Sequence, residues 1–152
     1  MTASAPAGTR FQRANFVVSD LERSLLLYRD ILGMQVEFSK DSPDDSYSYA
    51  VFGIDRSVAL GFAVLSTASQ PRVMALTELR DAELPPPALP RRAAIVLHVD
   101  DIDQVVAGCA AAGLHVFPED RLETHDGRVG REVGLLDADG NLVVVYHLEA
   151  TA

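Results

Sequence analysis

The chain has 152 residues, of which 48% are hydrophobic, and a mean hydropathy of +0.10. This length fits one compact domain or two half-size modules that share a core, and the composition argues against wholesale disorder. Thirteen Lys and Arg against 22 Asp and Glu give a net charge of −9, which repels phosphate backbones and anionic membrane surfaces. We therefore expect neither nucleic acid nor a membrane as a partner.

The cysteine content and the first residues bear on the compartment. Cys109 is the only cysteine, so no intrachain disulfide can form. Residues 1–9 are rich in small side chains but lack a basic segment and an apolar stretch, and nowhere do about 18 apolar residues run together. These features predict a cytoplasmic enzyme or binding protein whose residues 1–9 form a flexible tail.

A strand-to-helix pattern occurs twice in the chain. ANFVVSDL begins at residue 14 and IVLHVDDI at residue 95, an offset of 95 − 14 = 81. Apolar residues at helical spacing predict helices over residues 21–32 and 102–112, which end at Gly33 and Gly113. The predicted capping boxes at their starts are Ser19 with Glu22 and Asp101 with Gln104.

Segments that are predicted to form β-strands follow both Gly33 and Gly113. The predicted strands are residues 34–39, 46–54, 58–65 and 72–79 in the first half, and 114–117, 128–136 and 141–148 in the second. The stretch ADGN at 138–141 predicts a turn, and the four prolines of residues 84–90 predict a semi-rigid connector.

The predicted fold class is α+β, with two tandem βαβββ modules that form a curved mixed sheet around a concave pocket. The predicted organisation is a tail at 1–9, a first module at 10–80, a Pro-rich linker at 81–91 and a second module at 92–149.

Three motifs occur in this order along the chain, and together they resemble the pattern of a known superfamily. FVVSDLERS at residues 16–24, YRDILG at 28–33 and DADGNL at 137–142 resemble the vicinal oxygen chelate superfamily, which includes glyoxalase I, bleomycin-resistance proteins and extradiol dioxygenases. The resemblance runs from about residue 10 to 148 and implies the glyoxalase-like fold. It does not imply one reaction, since the superfamily contains isomerases, lyases, dioxygenases and drug-binding proteins.

The resemblance also implies where metal ligands would stand. Superfamily members that use a metal place a His or Gln seven residues before the Asp that starts each helix, which falls here on Arg13 and Ala94. The Glu of the closing strand falls on Val144, and its counterpart in the first half lies near residues 75–78, where only Glu78 could serve. Guanidinium and alkyl groups have no lone pair to offer, so the usual metal site is predicted to be absent.

Strand alternation sorts the first strand by face. Arg13, Asn15 and Val17 are predicted to point toward the concave side. Arg13 is predicted either to hold an anionic or carbonyl-bearing ligand or to pair with an acidic residue such as Glu78 or Glu132. Asn15 either contacts the ligand or bonds to a neighbouring strand.

Three further residues complete the predicted substrate-binding set. By the repeat, His98 points to the concave side, either as a ligand contact or as a partly exposed histidine. Tyr146 shares a face with Val144 and either offers its hydroxyl to a ligand or fills the cavity. Tyr49, with Tyr47, lies on one face of the predicted strand 46–54 and lines either the pocket or the core.

No catalytic residue is assigned from the sequence, and no cofactor is expected. The alternative is a divalent metal (Fe, Zn, Mn or Ni) held by displaced ligands such as His98 with Glu78 or Glu132, because the other histidines do not cluster. Cys109 lies on an apolar helical stripe and is predicted to be a core residue.

These observations favour a protein with a metal-independent pocket that binds or transforms a small aromatic or carbonyl-bearing organic molecule. The alternatives are a metal-dependent lyase, isomerase or dioxygenase with displaced ligands, and a subunit that has kept the fold and lost the chemistry. The resemblance implies that the protein is a homodimer.

Overall fold

The computed structural model describes residues 8–150, so most of the predicted tail lies outside the described residues. Module 1 contains β1 (Ala14–Val18), α1 (Leu21–Leu25, continued by a π-helical segment, Leu26–Ile31), β2 (Gln35–Asp41), α2 (Tyr47–Phe52), β3 (Leu60–Ser66) and β4 (Met74–Leu79). Module 2 contains β5 (Ile95–His98), α3 (Ile102–Ala111), β6 (Asp120–Glu123), β7 (Val129–Leu136) and β8 (Leu142–Leu148).

Each module folds into its own four-stranded mixed sheet. The strand orders are β1-β4-β3-β2 and β5-β8-β7-β6, so the two sheets have the same topology. In each sheet the first strand pairs parallel with the last, and the other neighbours are antiparallel. The predicted α+β fold with two tandem βαβββ modules is confirmed, with curved sheets that do not close.

One hydrophobic core joins the two modules. It contains the inward residues of both sheets together with the apolar stripes of α1 and α3, and Cys109 lies in it fully buried. Burial raises the pKa of the Cys109 thiol, as expected for a packing residue rather than a nucleophile. The two helices touch where Gly108 meets the side chain of Ile31, because a Cβ at Gly108 would lie 3.2 Å from Ile31 Cγ1.

The face of each sheet opposite this core is called here its open face. Alternation puts Asn15 and Val17 of β1 on the open face of module 1, because Phe16 and Val18 pack into the core. In module 2, Ile95 and Leu97 pack on the core, and Val96 between them is 63% exposed. The predicted orientation of the first strand of each module is therefore confirmed.

A buried polar contact ties the modules together at one side. The carboxylate of Asp137 accepts a hydrogen bond from the Tyr28 hydroxyl at 2.8 Å, and both residues are buried. Burial, followed by the charge of Asp137, raises the pKa of Tyr28 well above its usual value, so the phenol stays protonated at neutral pH. Asp139 accepts from the backbone N–H of Ser19 at 3.0 Å and from its hydroxyl at 2.5 Å. The predicted turn at 138–141 is therefore also the junction between the modules.

The prediction of a strand over 46–54 is wrong, because residues Tyr47–Phe52 form the short helix α2. Ser46 caps the helix through its side chain, and Gly53 ends it with a φ of 68°. Tyr49 is buried against Leu60 and Leu79 on the open face of module 1. This tertiary contact outweighs the strand preference of a segment rich in Tyr and Val.

Two smaller expectations also need correction. Residues 114–117 contribute only an isolated bridge between Val116 and Leu135, and the strand that follows α3 is β6. The N-cap of α1 is Asp20, which accepts from the N–H of Arg23, while Ser19 is occupied by Asp139. The corresponding cap of α3 by Asp101 is confirmed by its bond from the N–H of Gln104.

No helix in residues 8–150 is both long enough and apolar enough to cross a membrane.

Candidate functional site

Three polar side chains form one row across the open face of module 2. In the strand register His98 lies opposite Tyr146, and Tyr146 lies opposite Glu132. The rings of His98 and Tyr146 meet edge to face, with centroids 5.3 Å apart and an interplanar angle of 79°. No other described residue forms a hydrogen bond with either side chain, so an imidazole and a phenol hydroxyl are both available to a ligand.

Two cavities open beside this row. The larger, about 670 Å³, is a cleft that contains His98, Tyr146 and Val96 and has an apolar wall from the end of the π-helical segment to Met34. The smaller, about 370 Å³, contains Tyr146, Val96 and Glu132 under the loop that joins β6 to β7. Both volumes lie in the range of small-molecule sites. Val96 and Tyr146 belong to both cavities and connect them.

The larger cleft has an internal counterpart at which polar contacts join the two modules. At the offset of 81, Asp100 and Gln104 of the cleft correspond to Ser19 and Arg23. Ser19 and Arg23 are held by Asp139 from the turn between β7 and β8, at 3.0 Å and 3.6 Å. The turn between β3 and β4 instead bonds to itself, since the N–H of Thr67 donates to the carbonyl of Gln70 at 3.0 Å. The cleft is thus the side of the molecule where the junction of the two modules is not closed by polar contacts between described residues.

Of the predicted site residues, His98 and Tyr146 lie together, and the other three lie elsewhere. Arg13 is exposed, and no ion pair links it to Glu78 or Glu132 in the described residues. Asn15 accepts a hydrogen bond from the Thr77 hydroxyl at 3.0 Å, which is the neighbouring-strand alternative. Tyr49 donates its hydroxyl to the carbonyl of Val58 at 2.5 Å and is only 4% exposed.

The residues at the superfamily's metal positions do not fit a metal ion. Ala94 and Val144 offer no donor atom, and Glu78 lies on the core side of its sheet, where it accepts from the N–H of Leu21 and pairs with Arg80. Within residues 8–150, no three His, Cys, Asp or Glu side chains come close enough together to hold an ion. His98 and Glu132 share a row, but Tyr146 stands between them.

Sequence reasoning missed the importance of Val96 and of the pair Arg91 and Phe117. Phe117 lies over Gly134 on the open face, since a Cβ at Gly134 would come within 3.0 Å of its ring. The guanidinium carbon of Arg91 is 5.7 Å from the centroid of that ring. Arg91 and Phe117 lie outside the helices and strands, so no periodic pattern could have indicated them. Gly134, a glycine in the middle of a strand, was the one available signal.

Comparison with known proteins agrees with this fold. The sequence profile of the Glyoxalase/Bleomycin resistance protein/Dioxygenase superfamily matches residues 10–145. A chain with this double βαβββ architecture and this match belongs to that superfamily. No curated protein matches the sequence significantly.

Solved structures of the same fold have low sequence identity. A glyoxalase family protein from Bacillus cereus is 14% identical, with a TM-score of 0.70 over 98% of this chain and 100% of that chain. The trypanothione-dependent glyoxalase I of Leishmania major is 22% identical, with a TM-score of 0.60 over 92% of this chain and 87% of the other. The fosfomycin resistance protein of Listeria monocytogenes, solved with Mn(II) and sulfate, is 13% identical, with a TM-score of 0.59 over 94% and 93%. At these identities the likeness concerns the fold alone.

Proposed function

We propose that this superfamily member binds a small aromatic or carbonyl-bearing organic molecule at the open face of module 2, without a metal ion. The observation that carries this proposal is the pair of His98 and Tyr146 beside the two cavities, whose polar groups form no hydrogen bond with another side chain or backbone group in residues 8–150. The phenol hydroxyl donates to a carbonyl oxygen, and the neutral imidazole both donates and accepts. Val96 and Val144 supply the apolar floor.

The residues at the superfamily's metal positions support a site without a metal ion, because Ala94 and Val144 have no donor atom in their side chains. A metal-independent protein either sequesters its ligand or acts on it with side chains alone. In this row the side chains without a hydrogen-bond partner among the described residues are His98, Tyr146 and Glu132. Purified, untagged protein should therefore contain Fe, Zn, Mn and Ni well below one equivalent. Near-stoichiometric metal would favour the alternative, a lyase, isomerase or dioxygenase with displaced ligands.

Tyr146→Ala is expected to weaken binding of small aromatic carbonyl compounds by about tenfold or more, because it removes one hydrogen bond and a ring from the site. Compounds found by thermal shift, which raise the unfolding midpoint by mass action, would be titrated into both proteins by calorimetry. Leu26→Ala is the control, since Leu26 is 48% exposed on the π-helical segment, which packs on the core side of the sheets. Equal affinities in wild type and Tyr146→Ala would remove Tyr146 from the site.

We also propose that the protein is a homodimer in which the open face of module 1 covers the open face of module 2 of a second copy. The open faces carry exposed apolar side chains, Val96 at 63% and Phe38 at 41%. Lys40 is on the module 1 face, and Asp120 and Glu132 are on the module 2 face, so the charges are complementary.

Val96→Glu is expected to shift the protein toward the monomer, because it places a carboxylate in the apolar part of that contact, near Glu132. Sedimentation equilibrium would measure the dimer dissociation constant, with an expected increase of about tenfold or more. Leu89→Glu, in the exposed Pro-rich segment, should leave it unchanged. A wild-type protein that is monomeric at high concentration would contradict the dimer.

A further inference from the structure

At one end of the open face of module 2 lies Arg91, a cation that forms no ion pair with another described residue. Arg91 is partly buried, and its Nε is fully buried without a hydrogen-bond partner. None of the ion pairs among the described residues includes Arg91, and the other described arginines that lack an ion pair are all exposed. A partly buried guanidinium that meets no acceptor needs a reason, since desolvation of a charge is costly.

The position of this cation is set by an aromatic ring. Gly134 lies between the core residues Val133 and Leu135, so its missing side chain would point to the open face, where the ring of Phe117 covers it. The N–H of Phe117 also donates to the Gly134 carbonyl at 2.9 Å, which fixes the backbone beneath the ring. With Arg91 Cζ at 5.7 Å from the ring centroid, cation–π attraction holds the guanidinium in place of an ion pair.

The strand register relates this pair to the proposed ligand site. Gly134 lies opposite Val144, and Val144 lies opposite Val96. The adjacent row on the same face contains Glu132, Tyr146 and His98, two residues along each strand and hence roughly 7 Å away. A ligand about the size of one aromatic ring therefore spans the distance from the Phe117 end to Tyr146. The two ends differ in charge, because Arg91 is at one end, whereas the other has two carboxylates, Glu132 and Asp126, against one guanidinium, Arg128.

We propose that Arg91 anchors the carboxylate of a small aromatic acid whose ring lies on Val96 and Val144 and whose other end meets Tyr146 and His98. This inference rests on the proposed function and adds the charge class and orientation of the ligand. The planar guanidinium fits a carboxylate with two parallel hydrogen bonds. Glu132 repels a carboxylate from the opposite end and so fixes the direction in which the acid lies.

The test uses benzoate and its neutral isostere benzamide, each titrated into isotopically labelled wild type, Arg91→Gln and Arg92→Gln. Arg92 is the exposed neighbour in sequence and the matched control. Amide and side-chain NMR signals near His98 and Tyr146 report binding. Wild type and Arg92→Gln are expected to bind benzoate about tenfold or more tightly than benzamide. Arg91→Gln is expected to lose that preference while its benzamide affinity stays the same.

The outcomes separate this inference from the function on which it rests. If benzamide perturbs His98 and Tyr146 but benzoate binds no more tightly, or if Arg91→Gln keeps the preference, Arg91 is not the anchor and the site remains. If neither compound perturbs these signals, both proposals fail. If Arg91→Gln does not fold, Arg91→Lys is tested instead. This variant keeps the positive charge but lacks the planar guanidinium. Its benzoate affinity is then expected to fall several-fold, and an unchanged affinity would contradict the proposal.

Discussion

Asp137→Ala is expected to lower the free energy of unfolding by roughly 3–5 kcal/mol, the largest loss that we predict for a polar side chain of this protein. The buried carboxylate accepts from four donors: the Tyr28 hydroxyl, the backbone N–H groups of Asp139 and Asn141, and the side-chain amide of Asn141. Alanine leaves these donors without an acceptor, and the Tyr28 hydroxyl cannot reach solvent. Each unsatisfied buried donor costs about 1–3 kcal/mol, although the costs are not additive.

Chemical denaturation followed by circular dichroism measures this loss. Asp137→Asn should lie between wild type and alanine, because the amide keeps one acceptor oxygen but points two donors at groups that are themselves donors. Asp126→Ala is the control, because Asp126 is an exposed loop residue and its removal should change stability by no more than about 0.5 kcal/mol. A loss below about 1 kcal/mol for Asp137→Ala would show that the junction is not held by this carboxylate.

Gly130→Ala is expected to cost more than about 3 kcal/mol or to prevent folding, because a Cβ there has no room. It would lie 2.1 Å from the carbonyl oxygen of His147 and 2.9 Å from the Cα of Leu148, both of which are backbone atoms of β8. β7 and β8 would have to separate at this point. Glu132 is two residues away on β7, so its alignment with Tyr146 should be lost as well.

Gly108→Ala provides the matched control for this prediction. Its nearest neighbours are side-chain atoms of Ile31 at 3.2 Å, which can adjust, and alanine improves helix propensity by about 1 kcal/mol. We expect its stability to stay within about 1 kcal/mol of wild type in the same denaturation experiment. Comparable losses for the two variants would indicate that the close approach of β7 and β8 does not control the stability of module 2.

Much of the fold could be predicted because it depends on local sequence patterns that occur twice in the chain. The repeat at residues 14 and 95 gave both strand-to-helix units, and alternation correctly placed Phe16 and Val18 in the core. Gly33 and Gly113 have positive φ values of 76° and 73°, which agrees with their predicted role as helix stops. The helix α2 was missed because the composition of residues 46–54 favours a strand. Its cap residues Ser46 and Gly53 were the signals that could have corrected this.

The candidate site was less accessible to sequence reasoning, since it depends on contacts between distant segments. The pairing of β5 with β8 brings His98 to Tyr146 across 48 positions of sequence. The repeat indicated a face only for His98, and Tyr146 was placed by its alternation with Val144. Asn15 and Tyr49 face the expected side, but each has a protein partner that no sequence pattern specifies. Arg91 and Phe117 meet through irregular backbone, where alternation does not apply.

The measurement that tests the central claim most directly is a crystal structure of the untagged protein soaked with the tightest-binding compound from the thermal-shift screen. We expect the compound against Val96 on the open face of module 2, with polar atoms at hydrogen-bond distance from the hydroxyl of Tyr146 and the imidazole of His98. A transition metal coordinated by side chains of this protein at that face, or a compound bound only at a distant surface, would contradict the account.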